Sequence, residues 1–327
     1  MSSLRLMTFN VENLLQRFRF RDFEKDDLLS LMEAETEAER AELIRTYWNI
    51  LNDENRVFTA LTIQQANPDV ICMQEVENDR ILNFFGKRYI DKIYKNNRDP
   101  FTYKRLIEGN DPRGIDVAVM SRYEIESISS NRERRGAVPY PDGPREDRIF
   151  RRDCLEVNIK KNNKILTVFV CHFKSMSGGR NATKPIREIE ASEVKKIIEE
   201  KFAQPANEDW VIVGDLNDYT ETDGVADDNH GLGALLNNGF SVNIVKNIDN
   251  PKDRWTHYYS DDGSYHQLDY ILLSPSLAAK NLGIRPEIIR NGQPFRADRY
   301  TGDRWPRIGF ERPKASDHCP VVADINF

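Results

Sequence analysis

An α/β fold is what the sequence predicts, and three observations point to it. Short apolar runs of β character alternate with stretches whose apolar residues recur at helical spacing. The length of 327 residues suits one large α/β domain or two small ones and is enough to bury a core. No internal repeat and no linker composition cuts the chain, so a single domain over residues 1–327 is expected. Apolar residues make up 39% and charged residues 31%, the balance of a soluble globular protein with a well-charged surface.

The elements follow in order. Leu4 to Asn10 has a short β pattern and ends in the polar turn Asn10-Val11-Glu12-Asn13. From about residue 22 to 66 two apolar groups, Leu28/Leu29/Leu31/Met32 and Leu43/Ile44/Tyr47/Trp48/Ile50/Leu51, predict two helices against a sheet. The acidic stretch 33–42 is their solvated face or connection, and Asn67-Pro68-Asp69 stops the second. Val70 to Met73 is a buried strand that delivers Gln74-Glu75, and a helix is expected over Asp79 to Tyr89. Phe101 to Ile107 and Ile115 to Met120 are expected strands, and Asn131 to Asp153 a long Pro/Gly/Arg loop. Leu155 to Ile159 and Ile165 to Val170 form a hairpin. Pro185 to Phe202 is a helix, and Trp210 to Val213 a buried strand ending at Gly214-Asp215-Leu216-Asn217. Further strands are expected over Asp253–Tyr258, His266–Leu273 and Ile284–Ile289. The Arg-, Gly- and Pro-rich loop 291–314 precedes Ser316-Asp317-His318-Cys319-Pro320, and Val321-Val322-Ala323 closes the chain as a strand.

Net charge is −6. A protein that coats nucleic acid without specificity is usually basic, so any contact of that kind must come from a local patch. Carboxylates clustered at a metal site push the total in the same negative direction. Cys72, Cys154, Cys171 and Cys319 lie in or beside apolar runs with no CxxC spacing. That argues against zinc and for buried reduced thiols over a disulfide framework. Met-Ser-Ser-Leu-Arg-Leu runs straight into a strand, and no stretch is long and apolar enough to span a bilayer. The expected compartment is cytoplasmic, no membrane partner is expected, and nothing in the sequence signals an oligomeric state.

Several strands share one grammar: about four apolar residues, then side chains able to hold a metal or a phosphate. Met7-Thr8-Phe9 leads to Asn10, Ile71-Cys72-Met73 to Glu75, Val168-Phe169-Val170 to His172, and Val211-Ile212-Val213 to Asp215 and Asn217. The last strand is entered through Asp317 and His318. Polar groups packed against buried strand ends are costly unless paired or metal-bound. Taken alone, each has a plainer role: a turn for Asn10, a helix-end or surface charge for Glu75, an Asx turn for 214–217, a core position for His172 and a helix cap for Asp317. Five such clusters in one chain point to one convergent site at a sheet rim. Asp269, within Leu268-Asp269-Tyr270-Ile271-Leu272, is a carboxylate inside an apolar strand and needs a partner. A histidine is the natural one, since an Asp–His pair orients the imidazole and raises its basicity.

Together the segments 8–14, 74–77, 171–175, 214–218, 268–272 and 316–320 resemble the endonuclease/exonuclease/phosphatase superfamily, in that family's order and across nearly the whole chain. That fold serves pancreatic deoxyribonuclease, apurinic-site endonucleases, neutral sphingomyelinases and inositol-polyphosphate 5-phosphatases. His172-Phe173-Lys174-Ser175 and Gly214-Asp215-Leu216-Asn217-Asp218 are most similar to bacterial nuclease-like members. The resemblance implies an α/β fold of two packed mixed β-sheets flanked by helices, a four-layer αββα sandwich, with the helical stretch at about 22–66 as an insertion.

It implies a site as well. Glu75 would be the principal ligand of Mg²⁺ or Mn²⁺, assisted by Asn10, with Asp317 close by, and all-oxygen ligands suit such hard cations. Asp215 would orient or deprotonate the attacking water, and Asn217 would hold that water or a phosphate oxygen. His318, steadied by Asp269, would meet the scissile phosphate or transfer a proton, and His172 would stabilise charge on the phosphoryl oxygens. Arg113, Arg152, Lys174, Arg180 and Asn181 are the expected substrate contacts, being near the motifs in sequence. Arginine-dense loops at 132–152 and 290–312, interleaved with aromatic residues, have the composition to grip phosphates and stack bases, although a salt-bridged surface is the plainer reading of most single arginines. The expected function is metal-dependent phosphodiester hydrolysis with DNA or RNA as leading substrate. The alternative within enzymes is a phosphatase or phosphodiesterase acting on a small phosphorylated metabolite or lipid headgroup. A non-catalytic binding relative is the alternative outside enzymes, and the complete polar set argues against it.

Overall fold

The computed structural model describes residues 2–15, 36–38, 53–94 and 100–327. The apolar groups at 28–32 and 43–51 lie outside the described residues. In chain order come β1 (Ser3–Leu14), α1 (Asp53–Ala66), β2 (Val70–Val76), α2 (Asp79–Phe85), β3 (Tyr103–Leu106), β4 (Asp116–Ser121) and β5 (Glu124–Ser130). Next are β6 (Arg135–Val138), β7 (Arg145–Arg148), β8 (Cys154–Lys161), β9 (Lys164–His172), α3 (Arg180–Lys201) and β10 (Trp210–Asp215). Then follow β11 (Glu221–Thr222), β12 (Val225–Ala226), α4 (Gly233–Leu236), β13 (Val242–Asn243), β14 (His257–Tyr259) and β15 (Ser264–His266). The chain ends with β16 (Asp269–Leu273), α5 (Pro275–Lys280), β17 (Glu287–Ile288) and β18 (Val321–Asn326).

The strands form two six-stranded mixed sheets, ordered β17-β18-β1-β2-β4-β3 and β13-β16-β10-β9-β8-β5. Period-2 alternation assigns their faces. Leu4 and Leu6 of β1, Val70 and Cys72 of β2, Val168 and Val170 of β9 and Val211 and Val213 of β10 meet in one core between the sheets. The alternate residues Met7, Phe9, Ile71 and Met73 pack with Phe58 and Ile63 of α1 and Leu82 and Phe85 of α2. On the far side Phe169, Trp210 and Ile212 pack with Ala191, Val194 and Ile198 of α3. Three apolar layers thus bind four structural ones: the αββα sandwich the sequence implied.

Local chemistry sets the element ends. Asn78 caps α2, its side-chain oxygen accepting from the Ile81 N–H at 2.9 Å, and Asp79 in the first turn suits the helix dipole. Beyond α2 the expected helix continues as a π turn over Gly86–Ile90. Helix α3 starts at Arg180, five residues before the expected Pro185. Gly179 at φ 107° turns the chain, and its carbonyl accepts from the Thr183 N–H and hydroxyl. Pro185 therefore costs one backbone bond in the second turn and does not set the start.

Several expected strands are shorter than their apolar runs. The run 266–273 breaks at Gln267-Leu268, because Thr256 Oγ1 accepts the Leu268 and Asp269 N–H groups at 2.9 and 3.0 Å. Within 253–258, Pro251–Asp253 is a 3₁₀ turn and pairing begins only at His257. Over 284–289 only Glu287 and Ile288 pair. The expected loop 131–153 contains the hairpin β6–β7: β7 is all charged and largely exposed, and β6, Arg-Gly-Ala-Val, is too short to show apolar alternation. Strand β5 escapes the sequence pattern because a bulge between Ile125 and Ser127 breaks its period.

Helix α1 braces the rim where the site forms. Arg56 donates to the carbonyls of Val11 and Glu12, the Asn55 side chain accepts from the Lys314 N–H, and Thr59 Oγ1 donates to the Ala315 carbonyl. All four cysteines are free and buried.

Candidate active site

The site begins as a consequence of strand parity. The inward face of β1 reads Leu4, Leu6, Thr8, Asn10; that of β9 ends Val168, Val170, His172; that of β10 ends Val211, Val213, Asp215. Asp269 opens the inward face of β16, ahead of Ile271 and Leu273. Apolar positions thus give way to polar ones at the same end of the sandwich. Register then aligns them on one rung: Asp215 pairs with His172 across β9 and with Asp269 across β16. Asn10 reaches from the opposite sheet, its amide donating to Asp215 Oδ2 at 3.1 Å and to Glu75 Oε1 at 3.3 Å.

Glu75 does not belong to that parity. Simple alternation from Ile71 and Met73 would point it away from the site. A bulge between Gln74 and Val76, with Glu75 at φ 67°, turns it to Asn10, and the Asn13 N–H donates to its other oxygen at 2.9 Å. A left-handed glutamate is uncommon and costs roughly 1–3 kcal/mol, the kind of strain that clusters at functional sites.

The last loop arrives through Ser316. Its hydroxyl donates to the Asn10 carbonyl at 2.7 Å, lies 3.3 Å from Asp317 Oδ1 and accepts from the His318 N–H at 3.0 Å. His318 Nδ1 is 2.8 Å from Asp269 Oδ2, and its Nε2 is 3.8 Å from Asp215 Oδ2. Thr256 Oγ1 donates to Asp269 Oδ2 at 2.7 Å and fixes that carboxylate. Asn217 fixes the other: its backbone N–H donates to Asp215 Oδ1 and its amide to Asp215 Oδ2, both at 2.9 Å.

Burial acts on all these groups, and neighbours decide the outcome. For His318, burial disfavours charge, but Asp269 and Asp215 outweigh it and hold its pKa well above the ordinary value. For His172, burial, then Arg152, His318 and Arg113, push the pKa well below it. His172 is therefore neutral near pH 7, and its 3.5 Å approach to Asp215 is no ion pair between full charges. Burial raises Asp215, with His318 opposing and Asp269 adding. Burial would raise Asp317 too, but Lys314, His318 and His257 pull it well below the carboxylate range. The site thus holds one imidazolium, His318, and one neutral imidazole, His172, beside Asp215, a buried carboxylate of raised basicity.

The expected substrate contacts are placed unequally. Arg152 is buried, donating to the Phe173 carbonyl at 2.7 Å beside Asp111, and its charge reaches His172. Arg113 is largely exposed and held by Asp111 through a double contact of 3.0 and 2.9 Å. Lys174 Nζ donates to the Ser175 carbonyl at 2.9 Å. Arg180 turns away, bonded to Asp218 and Asp227 and lying 3.6 Å over the Tyr219 ring. Asn181 accepts from the Asn229 amide at 2.7 Å. Every arginine of the two loops also has an internal partner, from Arg134 with Glu200 and Arg148 with Glu133 to Arg299 with Asp223 and Arg312 with Glu12. These loops are salt-bridged structures and not free cationic arms.

The model of the Endonuclease/Exonuclease/phosphatase family matches residues 6–298. The chain belongs to that family. No curated protein matches the sequence. Among solved structures, truncated TDP2 of Caenorhabditis elegans is 14% identical with a TM-score of 0.55, covering 99% of this chain and 98% of that one. Sphingomyelinase C of Streptomyces griseocarneus is 16% identical with a TM-score of 0.58, covering all of both chains. An endonuclease/exonuclease/phosphatase family protein of Bacteroides thetaiotaomicron is 14% identical with a TM-score of 0.54, covering 99% of this chain and 97% of that one. At these identities the likeness is one of fold. Among the described residues no helix is long and apolar enough to cross a membrane.

Enzymes of the endonuclease/exonuclease/phosphatase family typically use divalent metals, and the donors here suit one. Asp215, Asp269 and His318 present ligand atoms within 4.8 Å of one another and could hold a metal ion. His318 Nδ1 is already engaged by Asp269, however, so within that trio it forms a hydrogen-bonded pair with Asp269, and Asp215 lies 3.8 Å from its Nε2. Glu75, Asn10 and Asp317 offer oxygens alone, the donor chemistry of a hard cation.

Sequence reasoning missed two residues that the structure places against this candidate site. Thr256 positions Asp269, and His257 lies with its ring centroid 4.5 Å from that of His318. One signal was available: His257 is one of five histidines and stands in the aromatic run Trp255-Thr256-His257-Tyr258-Tyr259, ten residues before the Gln267-Leu268-Asp269 motif.

Proposed function

We propose that the chain is a divalent-metal-dependent phosphodiester hydrolase with DNA or RNA as its leading substrate. The observation that carries this reading is the rung His172–Asp215–Asp269–His318, joined through the Asn10 amide to Glu75 on the opposite sheet. Glu75, Asn10 and Asp317 would hold Mg²⁺ or Mn²⁺. Such a cation, when bound, polarises a phosphoryl oxygen and offsets charge that develops there.

The protein's own groups supply the rest. Asp215, fixed by Asn217 and Asn10, orients the attacking water and takes its proton. The raised basicity of this buried carboxylate suits that task near neutral pH. His318, charged and steadied by Asp269, donates to a phosphoryl oxygen. His172, neutral and beside Asp215, offers a second contact to the same centre.

Paired cations stand on both flanks: the field of Arg152 and Arg113, both held by Asp111, reaches His172 on one side, and that of Lys314, held by Glu12, reaches Asp317 on the other. The decisive assay incubates the protein with Mg²⁺ or Mn²⁺ and single- and double-stranded DNA, RNA, abasic DNA, bis-aryl phosphodiester and inositol phosphates. Cleavage of the small esters alone would replace the nuclease reading by the metabolite or headgroup one. Glu75→Ala is expected to abolish most metal-dependent hydrolysis while the protein stays folded, and an unchanged rate would remove Glu75 from the metal role.

A further inference from the structure

The roles above leave His257 unused. It is the first residue of β14, bridged antiparallel to His318, and its neighbour Thr256 fixes Asp269. One strand end therefore both braces the reacting histidine and presents a second imidazole 4.5 Å from it. Among the described residues no hydrogen bond engages the ring nitrogens of His257. Its ring faces a cleft of about 230 Å³ that Asp317, Tyr259, Arg296, Arg312 and Lys314 also line.

His257 and Tyr259 are two residues apart on one strand, so they share a face. Their ring centroids are 6.3 Å apart at 25°, and Tyr259 is 47% exposed. The result is an aromatic slab that runs outward from His318 along one wall of the cleft. The opposite wall is charged but balanced: Arg312 and Lys314 pair with Glu12, Arg296 pairs with Glu311, and Asp317 supplies the third carboxylate. A balanced wall has little to offer a lone phosphate. A flat aromatic face with an accessible hydrogen-bonding imidazole suits a planar, polar, uncharged group attached to the scissile phosphate.

We propose that His257 is a substrate-contacting residue that, with Tyr259, seats the nucleoside borne by the scissile phosphate in this cleft. The proposal rests on the phosphodiesterase reading of the rung beside it. His257 hydrogen-bonds the nucleoside, and the base stacks on Tyr259, as bases stack on aromatic side chains in sequence-tolerant recognition of single strands.

The test compares the wild type, His257→Ala, His257→Gln and Tyr259→Ala by two readouts. Calorimetry measures binding of phosphorothioate-linked dithymidine. Steady-state kinetics compare thymidine 5′-(p-nitrophenyl) phosphate with methyl p-nitrophenyl phosphate, which has no nucleoside. Expected are a loss of dinucleotide affinity of about 10-fold or more in both alanine variants, from the usual worth of one stacked base, and recovery of most of it in His257→Gln. KM should rise more for the thymidine ester than for the methyl ester in each alanine variant. Equal dinucleotide binding by all four proteins would overturn the proposal, as would equal losses on both esters. Phospholipid-vesicle binding that falls in the two alanine variants while dinucleotide binding does not would overturn it in favour of a lipid surface. If the wild type cleaves neither ester yet binds dithymidine in a His257-dependent way, the pocket stands and the catalytic reading falls.

Discussion

Asp269→Asn removes one buried charge with almost no change of shape, so it isolates what that charge does for His318. In the protein, Asp269 Oδ2 accepts from His318 Nδ1 at 2.8 Å and from Thr256 Oγ1 at 2.7 Å, while buried Oδ1 has no partner. An asparagine oxygen at the Oδ2 position can keep both contacts. Its NH₂ group then falls where Oδ1 was and finds no acceptor, at a cost of roughly 1–3 kcal/mol. Loss of the counter-charge to a buried imidazolium brings the total to roughly 3–5 kcal/mol. His318 has a raised folded-state pKa, so its stabilisation is fully present below the unfolded value of 6.5 and fades as pH rises through the folded value. The His318 contribution to the stability gap between wild type and variant should therefore be full at and below pH 6.5 and shrink as pH climbs towards the folded value. Hydrolysis should fall by roughly 10²–10⁴-fold, the usual worth of a general acid. Ring NMR of His318 across pH, urea denaturation at two pH values and initial rates test the three parts. A His318 titration midpoint that matches the wild type, or full activity, would refute the assignment of Asp269 as the group that charges this histidine.

Three further changes probe how the site is built. Gly214→Ala would place a Cβ 1.9 Å from the Cys171 carbonyl oxygen at φ 141°, pushing β10 off β9. A loss of about 3 kcal/mol is expected, and an unchanged denaturation midpoint would contradict the close strand approach. Arg187→Met removes a fully buried partner of Asp218, 2.9 Å away in the Gly-Asp-Leu-Asn-Asp segment, with an expected loss of roughly 3–5 kcal/mol in a thermal melt. Burial raises Glu190 to about 7 from 4.5, so the folded state holds its proton more tightly than the unfolded chain, and stability falls by about 3 kcal/mol as pH rises across that window. Glu190→Gln should flatten this part of the stability–pH profile; an equally steep profile would assign the slope to other carboxylates.

The strand ends were the legible part. Asn10, His172 and Asp215 each follow an apolar run at the parity of its inward face, and Asp269 interrupts one, so their convergence at one end of a sandwich follows from period 2. Helix α3 was legible as a helix but not at its start, since a glycine turn and the Arg180–Asp218 contact outweigh the proline signal. Strands β5, β6 and β7 escaped because they are edge or hairpin strands with polar faces, and edge pairing needs no apolar alternation. The arginine loops misled in the other direction: composition marks them as cationic, yet each guanidinium meets a carboxylate or carbonyl brought from elsewhere in the fold.

By itself the sequence determined the α/β class and which residue types stand at the sheet rim, because alternation and apolar runs are local properties of the chain; the layer order came from the family resemblance. The sequence also determined the family, through motifs whose order survives without any knowledge of distance. Only the tertiary structure decided that a bulge turns Glu75 against its own strand's parity toward Asn10. Only register decided that Asp215 sits between His172 and Asp269, and only the return of the last loop brought His318 beside both His257 and Asp269. The physical reason is the same in each case: burial and neighbouring charge set the protonation of these groups, and neighbours separated by tens to hundreds of residues exist only after folding.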